Sequence, residues 1–187
     1  MGEPEGSASV ADSRVPPRIV GAALVAGVLL ASLVAVAARL ETGYPPGITP
    51  PPFAHLLGQP APAFTLHGLQ GPTVSSDDAP AGRSWLLFFA EASCQACDAT
   101  YPALARASER YPVIVVGAGD RAVLREKLAP HGLVPVAGHD SRWEVNQAYG
   151  VPGYPSVLLI DPQGIVRKGA VGTQGLEQVL AAPERKD

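Results

Sequence analysis

From residue 85 onward the chain alternates two kinds of pattern. Trp85–Ala90 is apolar without a break, and so is Val113–Gly117. Runs of that length suit strands buried on both faces of a sheet. Between them, Cys97–Arg110 has helical composition, with Leu104 and Ala107 able to share a face with Cys97 and Tyr101. Arg121–His131 reads as a second helix and Trp143–Tyr149 as a short third one. Ser156–Asp161 is a strand, Pro162-Gln163-Gly164 turns it, and Ile165–Ala170 returns as its hairpin partner. Gln174–Ala182 closes the chain as a helix. Upstream, Ala63–Leu66 is a short strand and Gly71–Asp78 a turn with a weak strand. Strands that alternate with helices and end in a hairpin predict an α/β fold: a mixed sheet flanked by helices on both faces, its parallel strands joined by right-handed crossovers.

The first third of the chain has a different pattern. Ile19–Ala38 holds twenty residues without a charge, long enough to cross a bilayer as a helix. Arg14 and Arg18 precede it, whereas Arg39 and Glu41 follow. This arrangement predicts one N-terminal transmembrane helix at the cell membrane, a signal-anchor with everything after it extracytoplasmic. Ala35-Val36-Ala37 offers a cleavage site for the alternative, a removed signal peptide and a secreted form. Either reading places the domain in an oxidising space. The expected organisation is a cytoplasmic tail over 1–18, the anchor over 19–38, a linker over 39–60, a folded domain over 61–182 and a short tail over 183–187. GYPPGITPPPF, within the linker, is stiffened by its prolines.

Charge narrows the partners. The net charge is -3 and the basic residues form no dense patch, so nucleic acid is not an expected partner. The Gly117-Ala118-Gly119 stretch lacks the spacing of a dinucleotide or phosphate loop. A monomer without a cofactor is expected.

The chain has two cysteines, Cys94 and Cys97, separated by Gln95 and Ala96. The pair follows a buried strand and opens a helix. Unpaired amides and the helix dipole favour a thiolate at Cys94 there. Cys97, one turn inward, is close enough to form a disulfide. Cys94 would attack a substrate disulfide and Cys97 would resolve the mixed disulfide. A structural zinc site needs about four ligands, and there is no second cysteine pair. Two thiolates also suit Cu(I), so copper delivery to a membrane oxidase stands as the alternative function. A purely structural disulfide closing so short a loop would constrain the unfolded chain little. Glu91, three residues before Cys94, is the candidate proton relay for Cys97.

An apolar strand, a CxxC at a helix start and YGVPGYPSVLLIDPQG (149–164) together resemble the thioredoxin-like superfamily. The likeness is closest to its membrane-anchored, extracytoplasmic thiol-disulfide proteins of the cytochrome c maturation and methylamine dehydrogenase accessory type. The resemblance covers about 61–182. It implies a thiol-disulfide oxidoreductase with Cys94 nucleophilic and Cys97 resolving, acting on an exported cysteine-containing client with a membrane redox partner. It implies a cis Pro155 beside the pair, with Tyr154, Gln95 and Ala96 contacting substrate. Pro102 matches the proline of the first helix. Phe88 stands where thioredoxins carry a buried Asp, Thr100 where many members carry Glu, and Ser93 where the family often has Trp. Peroxide-reducing relatives typically have a Thr-x-x-Cys arrangement, which Ala90–Cys94 does not supply.

Overall fold

A computed structural model describes residues 30–33 and 49–181. The chain divides into two units, Met1–Pro50 and Pro51–Asp187. In the second, seven strands form one sheet: β1 (Thr65–Gly68), β2 (Thr73–Ser75), β3 (Trp85–Glu91), β4 (Val113–Ala118), β5 (Ala137–His139), β6 (Ser156–Ile160) and β7 (Val166–Val171). Their order is β2-β1-β5-β4-β3-β6-β7. Four helices accompany them: α1 (Gln95–Ser108), α2 (Arg121–Leu128), α3 (Glu144–Ala148) and α4 (Gly175–Ala181).

The central strand β3 lies parallel to β4 and antiparallel to β6. Its side chains alternate between two apolar layers. Leu86, Phe88 and Ala90 join the layer containing residues of α1, α2 and α4. Trp85, Leu87 and Phe89 join the layer with Val145 of α3 and the N-terminal residues Phe53, Leu56 and Phe64. Val113 and Val115 against Ile114 and Val116, and Val157 and Leu159 against Leu158 and Ile160, repeat the division. Period-two side chains with an apolar layer on each face are why these strands read as unbroken runs rather than alternations. The mixed, helix-flanked sheet is therefore as expected.

The three residues of β5 are not among the strands the sequence predicts. Their signal is too short for periodicity, and Gly138 interrupts it. That glycine has a packing reason: a Cβ there would stand 2.8 Å from Leu66 Cβ. Only a bare backbone lets β1 approach β5 this closely.

The β6–β7 hairpin turns on Asp161, which accepts from the amides of Gln163 (2.9 Å) and Ile165 (2.8 Å) and from Arg167 Nε (2.6 Å). Burial alone would raise its carboxyl. The Ile165 amide and Arg167, with the Gln163 amide, outweigh burial and hold it below its usual value.

The anchor expectation is corrected. Among the described residues no helix is long and apolar enough to cross a membrane. A span needs about 20 consecutive apolar residues, whereas the longest helix lying wholly within the described residues, α1, has 14 and carries Asp98 and Arg106. Of 19–38 only 30–33 are described, as helix with exposed side chains, and the rest of that expectation lies outside the described residues. The single-pass cell-membrane placement, the signal-anchor and the contact with a membrane through that helix are accordingly withdrawn. The expected tails over 1–18 and 183–187, and 39–48 of the linker, also lie outside the described residues.

The part of the expected linker that is described packs onto the sheet. Phe53 and Leu56 are buried. Phe53 adopts a left-handed backbone (φ 62°). Its ring lies so close over Gly169 that a Cβ there would meet Phe53 Cδ2 at 2.7 Å. Gly58 N donates to Val166 O (2.8 Å), and Val166 N donates to Gln59 O (2.9 Å), covering the start of β7. Phe53→Ala should therefore destabilise the unit by about 3 kcal/mol, as large-to-small changes in a packed core do. Urea denaturation checks this: an unchanged midpoint would mean the segment adds nothing to the core.

Candidate functional site: a disulfide at the start of a helix

At the carboxyl end of β3 the chain makes a tight turn. Ala92 N donates to Ala118 O of β4 (3.0 Å), and Cys94 N donates back to Glu91 O (3.1 Å). The turn delivers Cys94 to the N-cap of α1, where its sulfur accepts from Cys97 N at 3.0 Å. Cys94 and Cys97 form a disulfide, with Cα atoms 5.3 Å apart. The two sulfurs differ in access. Cys97 is fully buried in the α1-side core, whereas Cys94 is half-buried. Gln95, exposed, and Ala96, half-buried, open the helix between them. Pro102 lies within α1, and Thr100 Oγ1 donates to Ala96 O (2.9 Å) one turn earlier.

The second wall comes from the loop before β6. The Tyr154–Pro155 peptide is cis. The β3–β6 register pairs Phe89 with Ser156. Continued by two residues, it sets Tyr154 across from Glu91, at the point where β3 leads into the cysteine turn.

Glu91 is half-buried, and its Oε2 accepts from both the amide and the hydroxyl of Ser93. Its Oε1 faces Gly119, where an added Cβ would stand 2.5 Å away. No hydrogen bond joins it to Cys97 among the described residues. Phe88 occupies the apolar position beneath the pair, edge-on to Tyr101 (centroids 6.2 Å apart). The Tyr101 hydroxyl is buried without a hydrogen-bond partner. Burial, then the Asp98 and Glu91 carboxylates, push that phenol well above its ordinary range.

Sequence reasoning passed over a polar chain leading to Tyr154. Asp140 and Asn146 are 2% and 5% exposed. Asp140 Oδ2 accepts from Asn146 N (2.8 Å) and Nδ2 (2.7 Å), and Asn146 Oδ1 accepts from the Tyr154 hydroxyl (2.5 Å). Burial first, then the Asp140 and Glu91 charges, pushes the Tyr154 phenol up to about 12. It therefore remains a donor at neutral pH. Nothing in periodicity marks these residues, because the β5–α3 turn that brings Asp140 to Asn146 is a tertiary feature. His139, on the neighbouring strand, has Nε2 2.8 Å from Gly119 O. Among the described residues no group of three or more His, Cys, Asp or Glu gathers as a metal site.

A thioredoxin-like sheet with a cysteine pair opening the helix after its central strand defines the class of thiol-disulfide oxidoreductases. Comparison with known proteins agrees. The AhpC/TSA family model matches residues 57–169, and the chain belongs to that family. It is 33% identical over 132 residues to the methylamine utilization protein MauD of Methylorubrum extorquens, covering 67% of this chain and 63% of that protein. It is 33% identical over 135 residues to the thiol:disulfide interchange protein DsbE of Xylella fastidiosa, covering 67% of this chain and 68% of that protein. The thioredoxin domain of a Bacteroides vulgatus thiol-disulfide oxidoreductase shares the fold, with TM-score 0.56 at 22% identity over 67% of this chain and 95% of that one.

Two outcomes follow from this geometry. After reduction, Cys94 should be alkylated by iodoacetamide before Cys97 at neutral pH and below. Mass spectrometry of the singly modified chain reads the order, and prior modification of Cys97 would reverse the assignment. The second concerns alkaline stability. A phenol whose folded pKa lies above its unfolded value of about 10 keeps its proton in the folded state while the unfolded chain loses it. Stability should then fall as pH rises from about 10 toward the folded value, a window to which Tyr101 and Tyr149 also contribute. Tyr154→Phe should flatten part of that slope in urea titrations at fixed pH, and an unaltered slope would count against a raised Tyr154.

Proposed function

We propose that this chain exchanges disulfides with exported, cysteine-containing polypeptides through Cys94 and Cys97. The observation that carries the reading is the unequal access of two bonded sulfurs at one helix start: Cys94 is half-buried and Cys97 wholly buried. A client can reach Cys94 alone. Disulfides persist in oxidising compartments, which favours a client outside the cytoplasm.

The step balances as follows. In the reducing direction the Cys94 thiolate attacks one sulfur of a client disulfide, and the client's other sulfur leaves as a thiolate. Cys97 then gives up its proton and attacks Cys94 Sγ. The mixed disulfide breaks, the second client thiol is released, and the Cys94–Cys97 bond forms. The client gains two electrons and the pair loses two. Read backwards, the same atoms oxidise a client dithiol. The Cys94 thiolate is favoured by the Cys97 amide that points at its sulfur (3.0 Å) and by the helix N-terminus. Glu91 is the carboxylate assigned to take the Cys97 proton, through water. Pro155 offers no N–H, so the client chain would pair with the backbone of Tyr154 and lie over Gln95 and Ala96.

Cys97→Ser should trap clients on Cys94 as mixed disulfides, because the attack survives and the release does not. Cys94→Ser should trap almost none. Non-reducing gels of cells expressing each full-length variant read the difference. Equal trapping by both variants, or none by either while the wild-type pair is oxidised in the same cells, would refute the reading.

A further inference from the structure

Trp143 is out of place by two ordinary criteria. Its indole is 39% exposed, although tryptophan is highly buried on average. Its backbone lies at φ 61°, ψ 18°, a left-handed conformation that bulky residues rarely adopt. A residue held there without a buried ring points to use of the ring at the surface. The indole stands edge-on to Tyr154, centroids 6.1 Å apart.

Tyr154 is itself pinned. Its hydroxyl donates to Asn146 Oδ1, and Asn146 is doubly held by the buried Asp140 carboxylate. Trp143 N also donates to Asp140 O (3.3 Å). One buried pair thus fixes both rings. Beside them lies a groove of about 280 Å³, lined by both rings with Gln147, Gly150, Val151 and Pro152 and without any charged residue. Tyr154 links it to the redox site, because that residue lines the groove and packs on the same apolar cluster as Cys94.

We propose that Trp143 and Tyr154 form a fixed aromatic ledge that receives an apolar side chain close in sequence to the reacting cysteine of the client, with Asn146 as the positioning residue that holds the ledge. The inference rests on the exchange reading above and adds the kind of client. An apolar side chain laid against the two rings and Val151 loses contact with water at no polar cost. A charged side chain there would shed hydration and find no opposite charge in the lining. The ledge therefore selects against clients with Asp, Glu, Lys or Arg beside that cysteine.

The test measures exchange by the reduced full-length chain with three disulfide-linked peptides that differ only in a Leu, Gly or Glu beside the cysteine. Oxidised glutathione is the fourth substrate. The wild type should prefer Leu over Gly by about 10-fold in kcat/KM, the scale of a small apolar contact in a pocket, and should disfavour Glu further. In Trp143→Gly, whose left-handed backbone suits glycine, the Leu preference should shrink to about 2-fold or less. Trp143→Phe should recover part of it. Asn146→Ala should lose part of it through KM, which a general loss of fold would not do selectively. A wild type that exchanges with glutathione but treats the three peptides alike overturns the ledge alone. So does a Leu preference that survives Trp143→Gly. A wild type inert toward all four disulfides overturns the exchange reading beneath it.

Discussion

The structure depends on how β3 is held. It pairs on one side with parallel β4 and on the other with antiparallel β6, and an apolar layer packs on each of its faces. It is thus confined on both edges and both faces, as its neighbours β4 and β6 are. Whatever leaves its carboxyl end starts from a rigid point. The turn from Glu91 to Cys94 is held by two backbone hydrogen bonds, one of them to β4, and the Cys97 amide is aimed at the Cys94 sulfur. The cysteine pair is thus positioned by a strand whose side chains lie almost wholly in the core.

The same strand aligns the second wall of the site. Because β6 runs antiparallel to β3, its starting residues lie beside the end of β3, and Tyr154–Pro155 reaches the cysteine turn without a long loop. Antiparallel pairing brings together residues about sixty positions apart in the chain. Tyr154 is then fixed from the other side by the Asp140–Asn146 pair. A buried carboxylate whose acceptor oxygen is used twice by one neighbour is a rigid strut, since the alternative is an unpaired buried acid.

The interior beneath the pair departs from the thioredoxin pattern in one consistent way. Phe88 replaces a buried acid and packs on Tyr101. The pair therefore lies over an apolar floor, with Glu91 in the turn before Cys94 and tied to Ser93. In the proposed exchange, attack falls to Cys94 and resolution to Cys97 because only the former is accessible.

Much of this was legible in the residues. Unbroken runs such as Trp85–Ala90 mark double-sided strands because only burial on both faces removes the polar alternation. Two cysteines three apart at a strand–helix junction mark a disulfide because one helical turn brings their sulfurs together. These are local consequences of periodicity, so the sequence by itself determined the mixed sheet, the cysteine pair and the order of its elements. The three-residue β5 was not legible, since its place rests on Gly138 admitting the backbone of β1. Burial of Phe53 and Leu56 was not legible either, because a proline-rich stretch looks like linker until β7 offers it a surface. The uncharged run over 19–38 suggested a membrane span on length alone, an expectation withdrawn above. Only the tertiary structure decided that Asp140, Asn146, Tyr154 and Trp143 form one unit, because hydrogen bonds and ring contacts between separate loops depend on how those loops are folded together, and no spacing along the chain encodes that.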